Sequence, residues 1–308
     1  MTRVAAVDCG TNSIRLLVAD VDPSTGVLVD LDRRLEIVRL GQGVDRTGEL
    51  APDALARTLD ALRTYAAGAR ELGAERVRMV ATSATRDARN RDEFVRGVVD
   101  ILGVEPEVAT GDEEAALSFT GATRELAGRD GVRTPFLVVD IGGGSTEFVL
   151  GTDTPTAARS VNIGCVRMSE RHLTDDPPSR VQVDAACADI AQALDVAAEA
   201  VPLDTAGSLL GLAGTVTTVA GIALGHETYD PERLHHARVS ADQVRGTSAT
   251  LLRMPRAERA ALPVMHPGRV DVIAAGALVL AAVVDRTGID EVLVSEHDIL
   301  DGIAWSMA

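Results

Sequence analysis

The sequence VVDIGGGSTEFVLG at residues 138–151 decides the fold, because it is repeated in outline as AVDCGTNSIRLLVAD at residues 6–20. In both copies a short apolar strand ends in Asp-x-Gly, a tight turn follows, and a second strand begins just after a serine. Three residues match between the copies: Asp8 with Asp140, Gly10 with Gly142, and Ser13 with Ser145. The copies head the two halves of the chain, so we predict two similar domains that face each other. Chance similarity between two glycine-rich hairpin turns is the alternative.

Strands and helices alternate along the whole chain, which predicts an α/β protein with two sheets. A glycine- and proline-containing segment, Ala127–Pro135, is typical of a domain hinge. We therefore predict one domain over residues 1–126 and a second over 127–295. The predicted strands lie at 4–7, 14–19, 26–40, 77–81, 136–141, 146–150, 157–161, 208–212 and 291–295, and the predicted helices at 52–72, 93–102, 112–126, 181–200, 214–224, 241–253, 269–284 and after 295.

Charge and cysteine content exclude several classes of protein. The 308 residues carry a formal net charge of −16, which argues against general binding of nucleic acid or of a membrane surface. No apolar run is long enough to span a membrane, and the N-terminus does not resemble a signal peptide. The three cysteines are widely spaced without a CxxC pair, so we expect a reduced, cytoplasmic protein. All 30 basic residues are arginine, so phosphate must be held by arginine, backbone N–H groups, hydroxyls or metal.

The two repeated loops carry groups that suit phosphate chemistry. Glycines allow backbone N–H groups to approach an anion closely. The side chains that add donors are Thr11, Asn12 and Ser13 in the first loop and Ser145 and Thr146 in the second.

The loops differ two residues after the serine. The first carries Arg15 where the second carries Glu147, so the first favours phosphate and the second a cation. Asp140 and Glu147 together could hold Mg²⁺ through oxygen ligands. An ordinary turn-capping role for Asp140 and an exposed strand charge for Arg15 are the alternatives.

Further segments accompany the loops in a fixed order. They are ATSATRDARN (81–90), TGDEEAALSFTGA (110–122), NIGCVRMSERHL (162–173), GLAGTVTTVA (211–220), MHPGRVDVIAAGALVL (265–280) and VSEHDILDGIA (294–304). With the paired loops, they resemble the exopolyphosphatase and guanosine pentaphosphate phosphohydrolase family, within the superfamily of actin, sugar kinases and heat-shock chaperone ATPases. The resemblance covers essentially the whole chain, in a short form that stops after the two-domain core.

This resemblance implies a fold and an assembly. The fold is two ribonuclease H-like (actin-like) domains of mixed sheet and helices with an active-site cleft between them. The C-terminal helix, at about 296–308, is expected to pack back on the first domain. A homodimer is also expected.

The resemblance also assigns roles to residues. Glu114 matches the proposed catalytic base, and Arg86 matches an arginine that contacts phosphate. The other substrate-binding residues implied are Gly143, Gly144, Ser145, Thr146, Gly214, Thr215, Arg167 and Arg269. Two alternatives stay open: Glu113 and Glu114 could merely complement a helix N-terminus, and Gly214 could serve helix-on-strand packing.

The leading functional hypothesis is an Mg²⁺-dependent exopolyphosphatase, with K⁺ left open as an additional ion. The same site could instead cleave guanosine pentaphosphate to the tetraphosphate, and a low-turnover polyphosphate or alarmone sensor is the non-enzymatic alternative. A kinase is a weaker reading. His235 and His236 lack an acidic partner at metal-ligand spacing, so we predict an ordinary loop pair; His266, Asp271 and His297 are predicted to be solvated or core residues.

Overall fold

The computed structural model describes residues 1–126 and 129–308. These residues form two compact units, one made of Met1–Gly121 with Ile299–Ala308, the other of Ala122–Asp298. Residues 127 and 128, which begin the predicted hinge and the predicted second domain, lie outside the described residues.

The first unit is built around a five-stranded sheet of order β3-β2-β1-β4-β5. Strand β1 is antiparallel to β2 and parallel to β4. Its elements are β1 (Thr2–Cys9), β2 (Ser13–Asp22), β3 (Val27–Ile37), α1 (Val44–Thr47), α2 (Pro52–Glu71), β4 (Arg76–Ala81), α3 (Ser83–Asp87), α4 (Arg91–Leu102), β5 (Glu107–Val108) and α5 (Gly111–Thr123), which runs two residues into the second unit.

The second unit is built around a six-stranded sheet of order β10-β11-β9-β6-β7-β8. Strand β6 is antiparallel to β7 and parallel to β9. Its elements are β6 (Phe136–Ile141), β7 (Thr146–Gly151), β8 (Pro155–Val161), α6 (Cys165–His172), α7 (Arg180–Ala200), β9 (Ser208–Leu212), α8 (Ala213–Ala223), α9 (Pro231–Leu234), β10 (Arg238–Ser240), α10 (Ala241–Arg253), α11 (Arg256–Ala260), α12 (Ile273–Thr287) and β11 (Glu291–Val294).

The two sheets repeat one topology. In each sheet, three consecutive strands form an antiparallel meander, and parallel strands continue the sheet beside the first of them. The second unit adds the antiparallel strand β10 at the far edge. This is the strand order of ribonuclease H-like domains, so the predicted duplicated α/β fold is confirmed at the level of topology. The match extends to the register: Asp8 lies opposite Arg15, and Asp140 lies opposite Glu147.

Each unit has its own apolar interior, in which the central strands are almost fully buried. Helix α13 (Ile299–Ser306) belongs to the first unit, where Ile299, Leu300 and Ile303 pack against buried residues of β1 and β2. An ion pair of 2.5 Å between Arg33 and the buried Asp301 ties this helix to β3.

Two predicted helices begin later in the chain than expected. The C-terminal helix expected at about 296–308 is Ile299–Ser306. The helix expected at 269–284 starts at Ile273, because Pro267–Arg269 forms a separate 3₁₀ turn. The short helix α6, which no apolar periodicity indicated, follows directly after Gly164. The 3₁₀ turn lies near Gly214, which Arg269 contacts, and α6 lies directly against the second repeated loop.

Candidate active site

The first repeated loop directs its carbonyl oxygens into the protein. The N–H of Gly10 donates to the carbonyl of Ser13 at 2.9 Å, which closes the turn. The carbonyls of Thr11 and Asn12 accept hydrogen bonds from backbone N–H groups of residues 38–41. Within the described residues, nothing accepts from the N–H groups of Thr11 and Asn12.

The second repeated loop has the same construction. The N–H of Gly142 donates to the carbonyl of Ser145 at 3.1 Å. The carbonyls of Gly142, Gly143 and Gly144 accept from the backbone N–H groups of residues 164–167, at the start of α6. Across residues 1–126 and 129–308, no group accepts from the N–H groups of Gly143 and Gly144.

Each loop therefore presents two adjacent N–H groups that the fold itself does not use. Adjacent N–H groups of this kind form a concavity that binds anions. The carbonyl oxygens, which would repel a phosphate, are held away from it by neighbouring backbone. The loops thus have the electrostatic character that the sequence predicts for them.

The acids that end the first strands have opposite environments. In the first unit, Arg15 Nε and Nη2 donate to Asp8 Oδ2 at 2.9 and 2.7 Å. In the second unit, Asp140 and Glu147 are directly opposite on neighbouring antiparallel strands, which places both side chains on one face of the sheet. Their exposed fractions are only 7% and 1%.

The Arg15 contact changes the interpretation of that residue. Two of its nitrogens hold Asp8, so neutralising a buried acid is its evident role, and a primary role in phosphate binding is not supported by this geometry. The sequence comparison correctly found the charge difference between the loops but not its consequence.

The Asp140–Glu147 pair fits a hard divalent cation. Two buried carboxylates facing each other repel unless a proton or a cation lies between them, and an all-oxygen donor set is the kind that Mg²⁺ prefers. Ser160 Oγ donates to Glu147 Oε1 at 2.7 Å and fixes that carboxylate. Residues of this chain therefore suit the ion.

The two adjacent acids at the start of α5 have different roles. Glu113 is exposed, and its Oε2 accepts from the N–H and hydroxyl of Thr110 at 2.8 and 2.9 Å. These bonds form one half of a capping box and lower the pKa of Glu113. Glu114 is 8% exposed and lies 3.3 Å from Arg86 Nη1. The structure thus answers which acid is turned inward: it is Glu114.

Helix α3 connects these groups to the first loop. Its Ser83 hydroxyl lies 2.8 Å from the Thr11 hydroxyl, and its Arg86 also donates from Nη1 to the carbonyl of Ala109 at 2.7 Å. Among the described residues the Nε and Nη2 groups of Arg86 have no acceptor, which leaves them for a substrate phosphate. Thr11, Arg86 and Glu114 are thus linked through α3 within the first unit.

Gly164 sets the position of the second loop. A Cβ at this residue would lie 2.3 Å from the carbonyl carbon and oxygen of Gly143 and 2.4 Å from the nitrogen of Gly144. Only a glycine permits this approach of α6 to the loop. Arg167 adds a hydrogen bond of 2.7 Å from Nε to the Gly144 carbonyl, so it is at least a support for the loop.

Gly214 and Arg269 form a second close contact. A Cβ at Gly214 would lie 2.3 Å from Arg269 Nη2, so the absent side chain makes room for the guanidinium rather than for a strand. Arg269 Nη1 donates to Thr218 Oγ1 at 2.9 Å, and Arg269 Cζ lies 6.0 Å from the centre of the Tyr229 ring, in cation–π range. Arg269 is therefore held at the N-terminal turn of α8.

Two predicted substrate hydroxyls are used inside the fold instead. Thr146 Oγ1 donates to the carbonyl of Ile163 at 2.9 Å in the interior. Thr215 is buried beside Gly276 and forms a hydrogen bond with the Cys165 thiol. The geometry supports structural roles for Thr146 and Thr215. Ser145, the third predicted hydroxyl of the second unit, is buried within the loop turn.

Comparison of the sequence with known protein families identifies the family. Residues 17–308 match the Ppx/GppA phosphatase family. The chain belongs to this family.

The Ppx/GppA relatives match along the full chain. Exopolyphosphatase 2 of Mycobacterium tuberculosis is 51% identical over 100% of this chain and 99% of its own length. The solved structure of an exopolyphosphatase-like protein is 44% identical, with a TM-score of 0.95 over 99% of this chain and 98% of that one. The guanosine-5′-triphosphate,3′-diphosphate pyrophosphatase of Vibrio atlanticus is 30% identical over 98% of this chain and 59% of its own.

Sequence reasoning missed two residues that position the repeated loops. Ser83 and Gly164 each contact a repeated loop, yet both are distant from their partners in sequence. A single sequence carries no signal for Ser83, while the Gly-Cys pair before a short helix was a weak one for Gly164.

No helix in the described ranges is long and apolar enough to cross a membrane.

Proposed function

We propose that this protein is an Mg²⁺-dependent exopolyphosphatase, which hydrolyses the terminal phosphate of inorganic polyphosphate and releases orthophosphate. Membership of a phosphatase family supports the reaction class, and the 51% identical relative named exopolyphosphatase 2 supports the substrate. The observation that carries the mechanism is the buried Glu114 carboxylate beside Arg86.

In the proposed reaction Glu114 accepts a proton from water as the water oxygen attacks the terminal phosphorus. The new P–O bond forms while the bond to the bridging oxygen breaks, and the shortened polyphosphate leaves with the electron pair. A carboxylate positioned for this proton transfer contributes on the order of 10²- to 10⁴-fold to the rate. Arg86 both orients Glu114 and offers its remaining N–H groups to the phosphate that is attacked.

The loops bind the negative charge of the substrate. In the first unit the N–H groups of Thr11 and Asn12 are available to phosphate oxygens, and in the second unit those of Gly143 and Gly144 are, so each loop can hold phosphate without any lysine. Arg269, which is held against Gly214, supplies a further positive charge. Asp140 and Glu147 would hold Mg²⁺, which when bound stabilises charge on the phosphoryl oxygens.

Phosphate release from a panel of substrates tests the proposal. Purified protein with Mg²⁺ is incubated separately with long-chain polyphosphate, short-chain polyphosphate, guanosine pentaphosphate and ATP. We expect the highest kcat/KM with polyphosphate. No release from any of the four, with binding retained, would support the alternative of a low-turnover sensor and refute the enzyme.

Guanosine pentaphosphate is the second candidate substrate. The Vibrio atlanticus relative is named for it and covers 98% of this chain. The same groups could act, because its terminal phosphoanhydride presents the same attacked phosphorus. A kcat/KM for the pentaphosphate above that for polyphosphate would make it the principal substrate.

Assembly and location are proposed on the family resemblance alone. We propose a cytoplasmic homodimer, with K⁺ as an additional ion to be tested. Sedimentation equilibrium of the purified protein distinguishes monomer from dimer, and phosphate release with and without K⁺ tests that ion.

A further inference from the structure

Three side chains outside the phosphate-binding loops converge in the second unit. Glu125 follows α5, His235 follows α9, and His297 lies between β11 and α13. One ligand atom from each of them lies within 4.8 Å of the others. Sequence analysis predicted an ordinary loop pair at His235 and His236 because it found no acidic partner at metal-ligand spacing; the fold brings Glu125 to His235 from 110 residues away.

The distances within this Glu125–His235–His297 cluster suit a metal ion better than hydrogen bonds alone. Glu125 Oε2 lies 3.5 Å from His235 Nε2 and 3.4 Å from His297 Nδ1. Charge-assisted hydrogen bonds are usually shorter, at about 2.7–2.9 Å. A tetrahedral zinc ion with bonds of about 2.0–2.1 Å has ligand–ligand edges of about 3.3 Å, close to these two separations; the third, between the two histidines, is within 4.8 Å.

The cluster is held in place without any ion. The His235 ring packs against those of His236 and His297, with centroids 3.6 and 4.5 Å away and ring planes tilted by 35° and 41°. Backbone bonds fix the neighbouring turns: the His236 N–H donates to the Val294 carbonyl at 2.7 Å, and the His297 N–H donates to Ser295 Oγ at 3.1 Å. A site that is already formed loses little conformational freedom on binding.

We propose that Glu125, His235 and His297 form a binding site for a divalent transition-metal ion, for which Zn²⁺ is the probe. Two imidazoles and one carboxylate are a donor set of zinc sites with a fourth, open position. This set differs from the all-oxygen pair Asp140 and Glu147, which suits Mg²⁺, so the two ions are expected to occupy different sites.

Binding requires one rearrangement. The Glu296 N–H now donates to His235 Nδ1 at 3.2 Å, which places the ring proton on Nε2. Ligation through Nε2 moves that proton to Nδ1, so the Glu296 hydrogen bond must be released. The Glu296 hydrogen bond and the two contacts of Glu125 with the imidazoles are thus exchanged for three metal–ligand bonds.

The consequence of occupancy follows from where the ligands lie in the chain. Glu125 lies just after the chain enters the second unit, and His297 just before it leaves. A bound ion would join these two connecting segments to the end of α9. We therefore expect bound Zn²⁺ to raise the unfolding temperature in proportion to the logarithm of its free concentration above Kd.

Competition against a chromophoric chelator tests the site directly. The full-length protein, stripped of metal, is titrated with Zn²⁺ in phosphate-free buffer containing millimolar Mg²⁺. A Cys187→Ser background removes the exposed thiol. We expect one Zn²⁺ per chain, bound at least about 100-fold more weakly by Glu125→Gln and His297→Asn, since each loses one of three ligands.

His172→Asn is the matched control. His172 also meets a carboxylate, Asp189 at 2.8 Å, but no second imidazole joins it in the part of the chain described. This variant should bind Zn²⁺ as tightly as its parent. Absence of a tight site in the parent, or equal affinity in Glu125→Gln, overturns the proposal. Cobalt absorption gives a second test: the Co²⁺ spectrum of the parent should change in His297→Asn, and an unchanged spectrum also overturns the proposal.

Discussion

Replacing Gly164 with alanine should displace the second loop and lower activity strongly. The backbone at Gly164 has φ −85° and ψ 162°, which any residue adopts, so the penalty comes from contact alone. An added Cβ would lie 2.3 Å from the Gly143 carbonyl, whereas ordinary contacts begin at 3.4 Å. The difference, 3.4 − 2.3 = 1.1 Å, is the distance that the loop or α6 must move.

A displacement of this size has predictable consequences. Misplacing a substrate-positioning group by about 1 Å costs on the order of 100-fold in rate, and overpacking of this kind costs about 1–3 kcal/mol in stability. We therefore expect Gly164→Ala to reduce kcat/KM for polyphosphate about 100-fold and to lower the free energy of unfolding in urea.

Gly246→Ala is the control for this prediction. Gly246 lies inside α10, and no atom lies within 4 Å of the position that an added Cβ would take. The substitution should leave kcat/KM unchanged and increase stability by up to about 1 kcal/mol. If Gly164→Ala retains kcat/KM within twofold of wild type, the loop is not positioned by α6 as described.

Three further outcomes follow from contacts in the structure. Asp140→Asn and Glu147→Gln should each raise the Mg²⁺ concentration for half-maximal phosphate release at least about tenfold, because each removes a carboxylate from an oxygen ligand set; an unchanged Mg²⁺ dependence in both would contradict the assignment. Thr146→Val should cost about 1–3 kcal/mol of stability, because the Ile163 carbonyl loses its donor, with KM unchanged; a large rise in KM measured by phosphate release would restore its predicted substrate role. Iodoacetamide should label native Cys187 and spare Cys9 and Cys165, since burial excludes the reagent from these two and raises their thiol pKa; mass spectrometry that finds Cys165 labelled at the same rate would show that the loop region opens.

The duplicated fold could be predicted because it depends on local patterns. Apolar strands that end in Asp-x-Gly specify both hairpins, and the structure places Asp8 opposite Arg15 and Asp140 opposite Glu147 in the same register. The start of α12 was predicted too early, because the apolar pattern continues through a 3₁₀ turn that Pro267 begins.

The partners of individual side chains could not be predicted, since a residue type that suits phosphate can equally bond a neighbouring group of the fold. Arg15 holds Asp8 across a hairpin, and the Thr146 hydroxyl holds a buried carbonyl, although both residue types suit phosphate. The sequence shows no acid at metal-ligand spacing from the histidines at 235 and 236, and only the folded chain brings Glu125 to His235. Residue type and spacing therefore indicated the two repeated loops but not the partner of each side chain in them.

The choice between Glu113 and Glu114 illustrates the same limit. Both acids occupy the first turn of α5, and both suit a helix N-terminus. The structure separates them, because the Glu113 carboxylate accepts from the Thr110 N–H at the helix start, while Glu114 is buried beside Arg86. Glu114→Gln therefore tests the proposed catalytic base, and Glu113→Gln is the matched control.

The most direct test of the account is the kcat of Glu114→Gln and Glu113→Gln for phosphate release from polyphosphate with saturating Mg²⁺. Loss of the base should reduce kcat of Glu114→Gln about 10²- to 10⁴-fold, with folding checked by circular dichroism. Glu113→Gln should stay within about threefold of wild type and lose only about 1 kcal/mol of stability from the weakened cap. Near-normal kcat in Glu114→Gln, or an equal loss in Glu113→Gln, would contradict the assignment of Glu114 as the group that activates water.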